Sequence, residues 1–261
     1  MDNSKPPLVS VVTATFNALE GLRETVASVS QQSFKAVEHV IVDGGSTDGT
    51  KEYLESLGDT VRWVSEPDHG IADAMNKGIA MARGEYVLVL HAEDRFLDPD
   101  SLSRASSYLN GEWELVGFDV MLENMANGGS LRLRARPFSL ATNFRMLVPH
   151  QGLFCRKAVF DMIGGFDGSF RIGMDYDHLL RAKRAGFSLQ VVREVLSRMP
   201  ATGISSREDW PARHALMMEQ WRAQLKNFPG FLHRAVFSAF WSVFYPAFFV
   251  KRKLFRNWRL Y

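Results

Sequence analysis

Residues 8–17 read Leu-Val-Ser-Val-Val-Thr-Ala-Thr-Phe-Asn. The run is short, rich in β-branched residues and bounded by Pro7 and Asn17, so it predicts a buried strand over residues 8–15. Directly after it, Leu22, Val26 and Val29 share one stripe and predict a helix over residues 19–32. The alternation then repeats. Residues 37–42 read as a second strand, and Ser46 or Thr47 as the cap of a helix that runs to about Leu57 with Tyr53, Leu54 and Leu57 inward. Residues 61–64 read as a third strand, 71–82 as a helix and 86–90 as a fourth strand. Strands separated by helices require right-handed crossovers. The expected fold class is therefore α/β, a Rossmann-like, mostly parallel sheet with flanking helices.

In such a sheet, ligands bind beyond the carboxyl ends of the strands. The first strand ends in Thr13-Ala14-Thr15-Phe16-Asn17 and the second in Asp43-Gly44-Gly45-Ser46-Thr47-Asp48-Gly49. The third ends in Glu66-Pro67-Asp68-His69-Gly70 and the fourth in His91-Ala92-Glu93-Asp94. Carboxylates gathered on one edge repel each other and call for a cation or a hydrogen-bonding ligand. Turn and cap chemistry is the competing account of Gly44-Gly45 and Asp48-Gly49. No Gly-x-Gly-x-x-Gly, P-loop, Gly-x-Ser-x-Gly or zinc-type Cys/His spacing occurs. What remains is a phosphate ligand held through a hard cation on carboxylate oxygen.

The chain has 261 residues, 46% hydrophobic and 23% charged, enough to bury a core and too apolar for disorder. A single cysteine, Cys155, excludes a disulfide scaffold and fits a reducing compartment. The first seven residues hold no apolar run, so no secretory signal is expected. Charge is uneven: residues 231–261 carry six basic residues, no acidic ones and 11 of the 31 aromatics. The body that precedes them is net acidic, which disfavours a diffuse nucleic-acid surface.

Four blocks carry a family resemblance: VSVVTATFNA (9–18), VEHVIVDGGSTDGT (37–50), SEPDHGIADAMNKGIAMARGEYVLVLHAED (65–94) and HQGLFCRKAVFDMIGGFDGSFRIGMDYDHLLRAKRAG (150–186). Over roughly residues 8–195 the chain resembles the family 2 glycosyltransferases, inverting enzymes of the GT-A fold, and most closely the bacterial enzymes of capsule, O-antigen and exopolysaccharide synthesis. The resemblance implies a catalytic domain over 1–205, with a nucleotide half over about 1–98 and an acceptor half over about 99–205, followed by a helical region over 206–261. It implies that Thr13, Thr15 and Asn17 belong to the first nucleotide-binding loop and that Asp43 receives a hydrogen bond from the base. Asp68, Asp73, Asn76 and Lys77 would line the nucleotide and donor sugar. Glu93 and Asp94 stand at the family's acidic metal motif, with Asp94 the direct ligand of a Mg2+ or Mn2+ on the donor diphosphate. Asp175 matches the general base, with Asp177 as the fallback. The implied donor is a nucleotide-diphosphate sugar, a UDP-sugar favoured. The implied acceptor is a saccharide hydroxyl on a lipid-linked chain, at the cytoplasmic face of the membrane.

The chain also departs from that pattern. The metal motif reads His91-Ala92-Glu93-Asp94 where Asn-Ser-Asp-Asp is common, so His91 stands near ribose or metal, or is a polar strand end. His150 and Gln151 either hold acceptor or diphosphate or belong to a turn after Pro149. Arg181 either pairs with the acidic cluster or lies at the surface. Residues 113–122 and 131–136 read as further strands, and in the second Arg132, Arg134 and Arg136 share one face. That face is either solvated or set against an anionic acceptor. Residues 207–226 read as an amphipathic helix carrying Trp210, Leu216, Met217, Trp221 and Leu225. Residues 235–250 are almost wholly apolar but short of a membrane span, broken by Pro246 and followed by Lys251-Arg252-Lys253. An in-plane association with anionic lipid is expected, against packing on the body. Two other functions stay open: a sugar-phosphate nucleotidyltransferase, and a non-catalytic membrane-associated nucleotide-sugar binder.

Overall fold

The opening run becomes β1 (Val9–Thr15), buried at every position because parallel neighbours cover both its edges. These are β2 (Val37–Asp43) on one side and β4 (Tyr86–Val89) on the other, with β3 (Arg62–Ser65) beyond β2. The computed structural model describes residues 6–124, 128–201 and 209–254. Between these strands run α1 (Leu19–Ser30), α2 (Thr50–Ser56) and α3 (Ile71–Met81). The helix expected from Ser46 or Thr47 begins only at Thr50. Ser46 Oγ donates to Asp43, Asp48 accepts from Leu19 N–H, and Gly49 at φ 92° adopts a backbone that a helix interior forbids.

After β4 come β5 (Arg95–Phe96), α4 (Ser101–Ser106), β6 (Leu115–Asn124), β7 (Gly129–Leu133), β8 (Leu153–Arg156), α5 (Lys157–Ile163), α6 (Met174–Arg184) and β9 (Leu189–Pro200). They continue one sheet in the order β3-β2-β1-β4-β8-β6-β9-β5, with β7 paired to β6. Strands β1, β2, β3, β4, β6 and β9 point one way, and β5, β7 and β8 the other. The sheet is thus mostly parallel, and the carboxyl ends of β1, β2, β3, β4, β6 and β9 open on one edge. The strand expected over 131–136 is shifted: β7 stops at Leu133, and Arg134 and Arg136 lie past its end.

One face of the sheet packs Tyr86, Leu88, Phe118 and Phe154 against α1 and α4, through Val29 and Leu102. The other packs Val12, Val40, Val87 and Cys155 against Ile79, Phe160 and Leu179 of α3, α5 and α6. Each large side chain buried in this way contributes about 1.5–3 kcal/mol. The edge that carries the loops therefore stands on a rigid base.

Two helices follow, α7 (Trp210–Asn227) and α8 (Phe231–Leu254). Asp209 caps α7 by accepting from Ala212 N–H at 3.0 Å. Of the stripe read from sequence Met217 is buried, and the other buried positions are Ala223, Gln224 and Asn227, because the inner face makes hydrogen bonds to α6 and α8. Asn227 Nδ2 donates to Asp177 at 2.8 Å, and Trp241 Nε1 of α8 donates to Gln224 at 2.6 Å. On α8, Phe237 and Trp241 are buried against Met217 and Phe144. Leu232, Val236 and Val243 lie on the opposite face and are exposed. Among the described residues, no helix is long and apolar enough to cross a membrane. Arg256 and Arg259 of the basic tail lie outside the described residues.

Candidate active site

Beyond β4 the chain makes a tight turn over His91–Asp94. Asp94 accepts the His91 N–H at 2.9 Å and is 4% exposed. Thr25 of α1 ties the turn from behind, its hydroxyl reaching the Asp94 and His91 carbonyls at 2.8 and 3.1 Å. Gly21, one helical turn earlier, lets α1 pass close to Glu93; a Cβ there would collide with the Glu93 side chain. Glu93 itself sits at φ 80°, a conformation a non-glycine residue holds only when its surroundings enforce it. Gly21→Ala is therefore expected to displace this turn. We predict weakened nucleotide binding by calorimetry in a protein whose far-UV spectrum is unchanged.

Asp175 stands in the first turn of α6. Its Oδ1 accepts the Tyr176 N–H at 2.7 Å, and its Oδ2 faces His150 Nδ1 at 3.6 Å. The His150 ring stacks at a tilt on His91, with centroids 4.9 Å apart. Burial disfavours the charged form of His150, but the neighbouring Asp175 carboxylate and the charge of Asp94 carry its pKa above the ordinary value. Burial, aided by His150, drops His91 to about 3, so its ring is neutral. Burial pushes the Asp94 carboxyl up to about 6, against the influence of His150 and the hydrogen bonds from His91 and Gln151. His91 Nδ1 and His150 Nε2 are buried without a hydrogen-bond partner.

Two cavities meet at Asp175. One, of about 250 Å³, is lined by His91, Glu93, Asp94, Met75, Arg171 and Asp175. The other, of about 410 Å³, runs from Asp175 toward the end of β7 and α7. His150, Gln151 and Asp175 line both. Asp177, two residues on, faces neither: it is fully buried and takes Arg181 at 2.9 Å, Lys226 at 3.0 Å and Asn227 at 2.8 Å. Arg181 also donates to the carbonyls of Ile163, Gly164 and Gly165, so it clamps the loop before α6.

The candidate residues on and after β1, β2 and β3 are held more tightly than their sequence suggests. Thr13 is buried and shares a 2.9 Å hydrogen bond with His39, whose ring burial keeps neutral. Thr15 Oγ1 is buried without a partner. Asn17 knits the first loop to the second: its N–H donates to Ser46 at 2.7 Å and its side chain accepts from Thr47 N–H at 2.9 Å. The fully buried Asp43 accepts from Ser46 N–H and Oγ and from Ser65 Oγ. Three donors leave this carboxylate room for one further donor, such as a base N–H. Asp68 accepts the Gly70 N–H, and Asp73 and Glu66 pair with Lys77 at 3.3 and 2.8 Å. The Asn76 amide is committed to both backbone groups of Phe166.

Sequence reading missed Glu219 of α7. Its carboxylate accepts the N–H groups of Arg171, Ile172 and Gly173 at 2.9, 2.7 and 2.7 Å, fixing the loop that presents Asp175. The only sequence signal is a lone acid on a helix face, and its partners are 46–48 residues away. Glu219→Ala is expected to cost roughly 1–3 kcal/mol in urea unfolding, the worth of charge-assisted hydrogen bonds.

Known proteins resemble this chain in sequence and in fold. The family model for Glycosyl transferase family 2 matches residues 10–168. An uncharacterized glycosyltransferase of Mycobacterium tuberculosis is 38% identical over 211 residues, 78% of this chain and 79% of that protein. A PGL/p-HBAD biosynthesis glycosyltransferase of Mycobacterium bovis is 32% identical over 184 residues, 67% and 69% of the two chains. Among solved structures, Staphylococcus aureus TarS 1–349 in complex with UDP-GlcNAc superposes with a TM-score of 0.64 at 17% identity, over 84% of this chain and 66% of that one. The mannosyltransferase PcManGT of Pyrobaculum calidifontis, in complex with GDP-Man and Mn2+, gives 0.59 at 18% identity, over 92% and 76%. The family model takes in the acidic turn after β4, and its match runs on through His150 and Gln151. The chain belongs to glycosyl transferase family 2 and is a glycosyltransferase of GT-A fold.

Proposed function

We propose that this chain transfers a sugar, with inversion, from a nucleotide-diphosphate sugar to a hydroxyl of a lipid-linked saccharide in cell-surface polysaccharide synthesis. The observation that carries the reading is the position of Asp175 on the wall shared by the two cavities. The donor would occupy the cavity under the 91–94 turn; proteins of related fold have been solved in complex with UDP-GlcNAc and with GDP-Man. The acceptor hydroxyl would enter from the other. As its oxygen bonds to the anomeric carbon, its proton passes to the Asp175 carboxylate, and the bond to the diphosphate oxygen breaks on the far side. His150 orients Asp175 from its Nδ1 side, and Gln151 braces Asp94.

A divalent cation fits the residues at the turn. Asp94 is a buried carboxylate with its pKa raised, beside Glu93, and a neighbouring cation would relieve that penalty. Among the described residues no group of three or more His, Cys, Asp or Glu could hold a metal ion by itself. Mg2+ or Mn2+ shared with substrate phosphates needs only one or two protein carboxylates. Asp94, with Glu93 in support, would hold it, and it would neutralise charge on the departing diphosphate.

The test is a thermal-shift panel of nucleotide sugars with Mn2+. A true donor at 100 times its dissociation constant adds about 2.7 kcal/mol of stability. No shift with any nucleoside diphosphate or nucleotide sugar would refute the reading. A shift with free nucleoside triphosphate, accompanied by pyrophosphate release, would favour the nucleotidyltransferase instead.

The exposed face of α8 supports docking in a lipid headgroup region, with Phe231 87% and Val243 72% exposed while Phe237 and Trp241 anchor the helix. The basic run Lys251-Arg252-Lys253 continues the same helix. Changing Leu232, Val236 and Val243 together to Ser should leave the melting temperature nearly unchanged and reduce sedimentation with anionic vesicles. Equal vesicle binding by that variant would refute the docking face.

A further inference from the structure

The larger cavity carries a charge the transfer reaction has not used. Its walls include Arg132, Arg134, Arg136, Arg145 and Arg213, and among the described residues its sole carboxylate is Asp175. Arg132 is accounted for: it pairs at 2.7 Å with Asp119, which is fully buried, and so belongs to the fold. The other four make no ion pair and no side-chain hydrogen bond among the described residues.

These four come from three separate segments: the stretch after β7, the loop before His150, and α7. A solvated strand face would need only one segment. Four arginines on the walls of one cleft repel one another, and an anion bound there offsets that repulsion. Guanidinium groups match the oxygens of phosphate in paired hydrogen bonds. The same cleft is also lined by the apolar Leu131, Leu133, Met146 and Leu216. The combination suits an amphiphile with a phosphate head and a hydrocarbon chain.

We propose that the cleft is an acceptor subsite for an alkyl phosphate or diphosphate, its phosphate on Arg134, Arg136, Arg145 and Arg213 and its sugar hydroxyl directed at Asp175. The acceptor role rests on the glycosyl transfer proposed above; the anion site itself does not. The acceptor is then a phosphate-bearing, lipid-linked sugar, not a neutral glycolipid.

The test uses the full chain with its donor site filled by UDP and Mn2+, and titrates octyl diphosphate below its micelle concentration. Octyl diphosphate should bind with UDP in place, and octanol should not. Arg134→Gln/Arg136→Gln should weaken it about tenfold or more, with UDP affinity unchanged. Arg145→Gln, on a different segment, should weaken it in the same direction, which separates site loss from local misfolding. Inorganic pyrophosphate binding as tightly as octyl diphosphate would mark a free-phosphate site and overturn the acceptor assignment. Competition with UDP, or unchanged affinity in both variants, would overturn the site. Variants that lose phosphatidylglycerol vesicles while retaining octyl diphosphate would assign these arginines to the membrane surface, and the proposal would fall. A wild type that binds octyl diphosphate but not UDP would leave the anion site standing and refute the transferase reading and the acceptor role with it.

Discussion

Asp175→Asn should transfer sugar about 10²–10⁴-fold more slowly than the wild type, the usual worth of a positioned general base. Asparagine preserves the shape and still accepts the Tyr176 N–H that Asp175 Oδ1 accepts at 2.7 Å. It removes the proton acceptor next to His150. Nucleotide affinity should stay nearly constant, because the loss falls on chemistry and not on donor contacts. The control is Asp177→Asn. That carboxylate is buried beneath Arg181, Lys226 and Asn227, so its loss leaves charges without their partner and is expected to cost about 3–5 kcal/mol of stability. Its effect should appear in the melting temperature, with transfer per folded molecule largely retained. A fully active Asp175→Asn would remove the base assignment.

These two acids also show what sequence can and cannot resolve. Met174-Asp175-Tyr176-Asp177 offers two carboxylates two residues apart, and helical geometry puts them on different faces. Which face meets the cavity depends on Lys226 and Asn227, some 50 residues away on a helix whose role the sequence leaves blank. The parallel half was legible because a buried strand writes itself as an uninterrupted β-branched run, as in Val9–Thr15. Strand β9 was not, because Gln190, Arg193, Glu194 and Arg198 interrupt its apolar pattern where it lies half-exposed. The arginines after β7 were visible as an alternation. Their meeting with Arg145 and Arg213 was not, since it is made by tertiary packing alone. Asn76 shows a role in the fold that its motif does not announce. It sits in a motif that resembles a donor-lining segment, and its amide holds the Phe166 backbone.

Asp94 gives the second large effect, and pairing two substitutions separates its charge from its structural contact. Asp94→Ala should abolish turnover and binding of nucleotide diphosphate, and excess chelator applied to the wild type should reproduce that loss. Glu93→Ala should hurt less. Alanine also removes the acceptor for His91 N–H, so the turn itself relaxes. Asp94→Asn keeps an acceptor there and deletes only the charge. In the folded, metal-free protein, burial has raised this carboxyl to about 6 from an ordinary value of 3.8. The unfolded chain loses its proton near the ordinary value and the folded chain only near 6, so stability falls as pH rises between the two and stays reduced above. Asn carries no such penalty. In chelator, Asp94→Asn should therefore melt higher than wild type at pH 7–8 by the equivalent of about 1–3 kcal/mol, and the difference should vanish below about pH 4. With Mn2+ and UDP the order should reverse, because only the wild type gains from the ligand. A variant that is more stable without metal and inert with it would identify the charge of Asp94 as a group kept for the cation at the expense of the fold. Full wild-type activity in excess chelator would instead return Asp94 to a purely structural role in the turn.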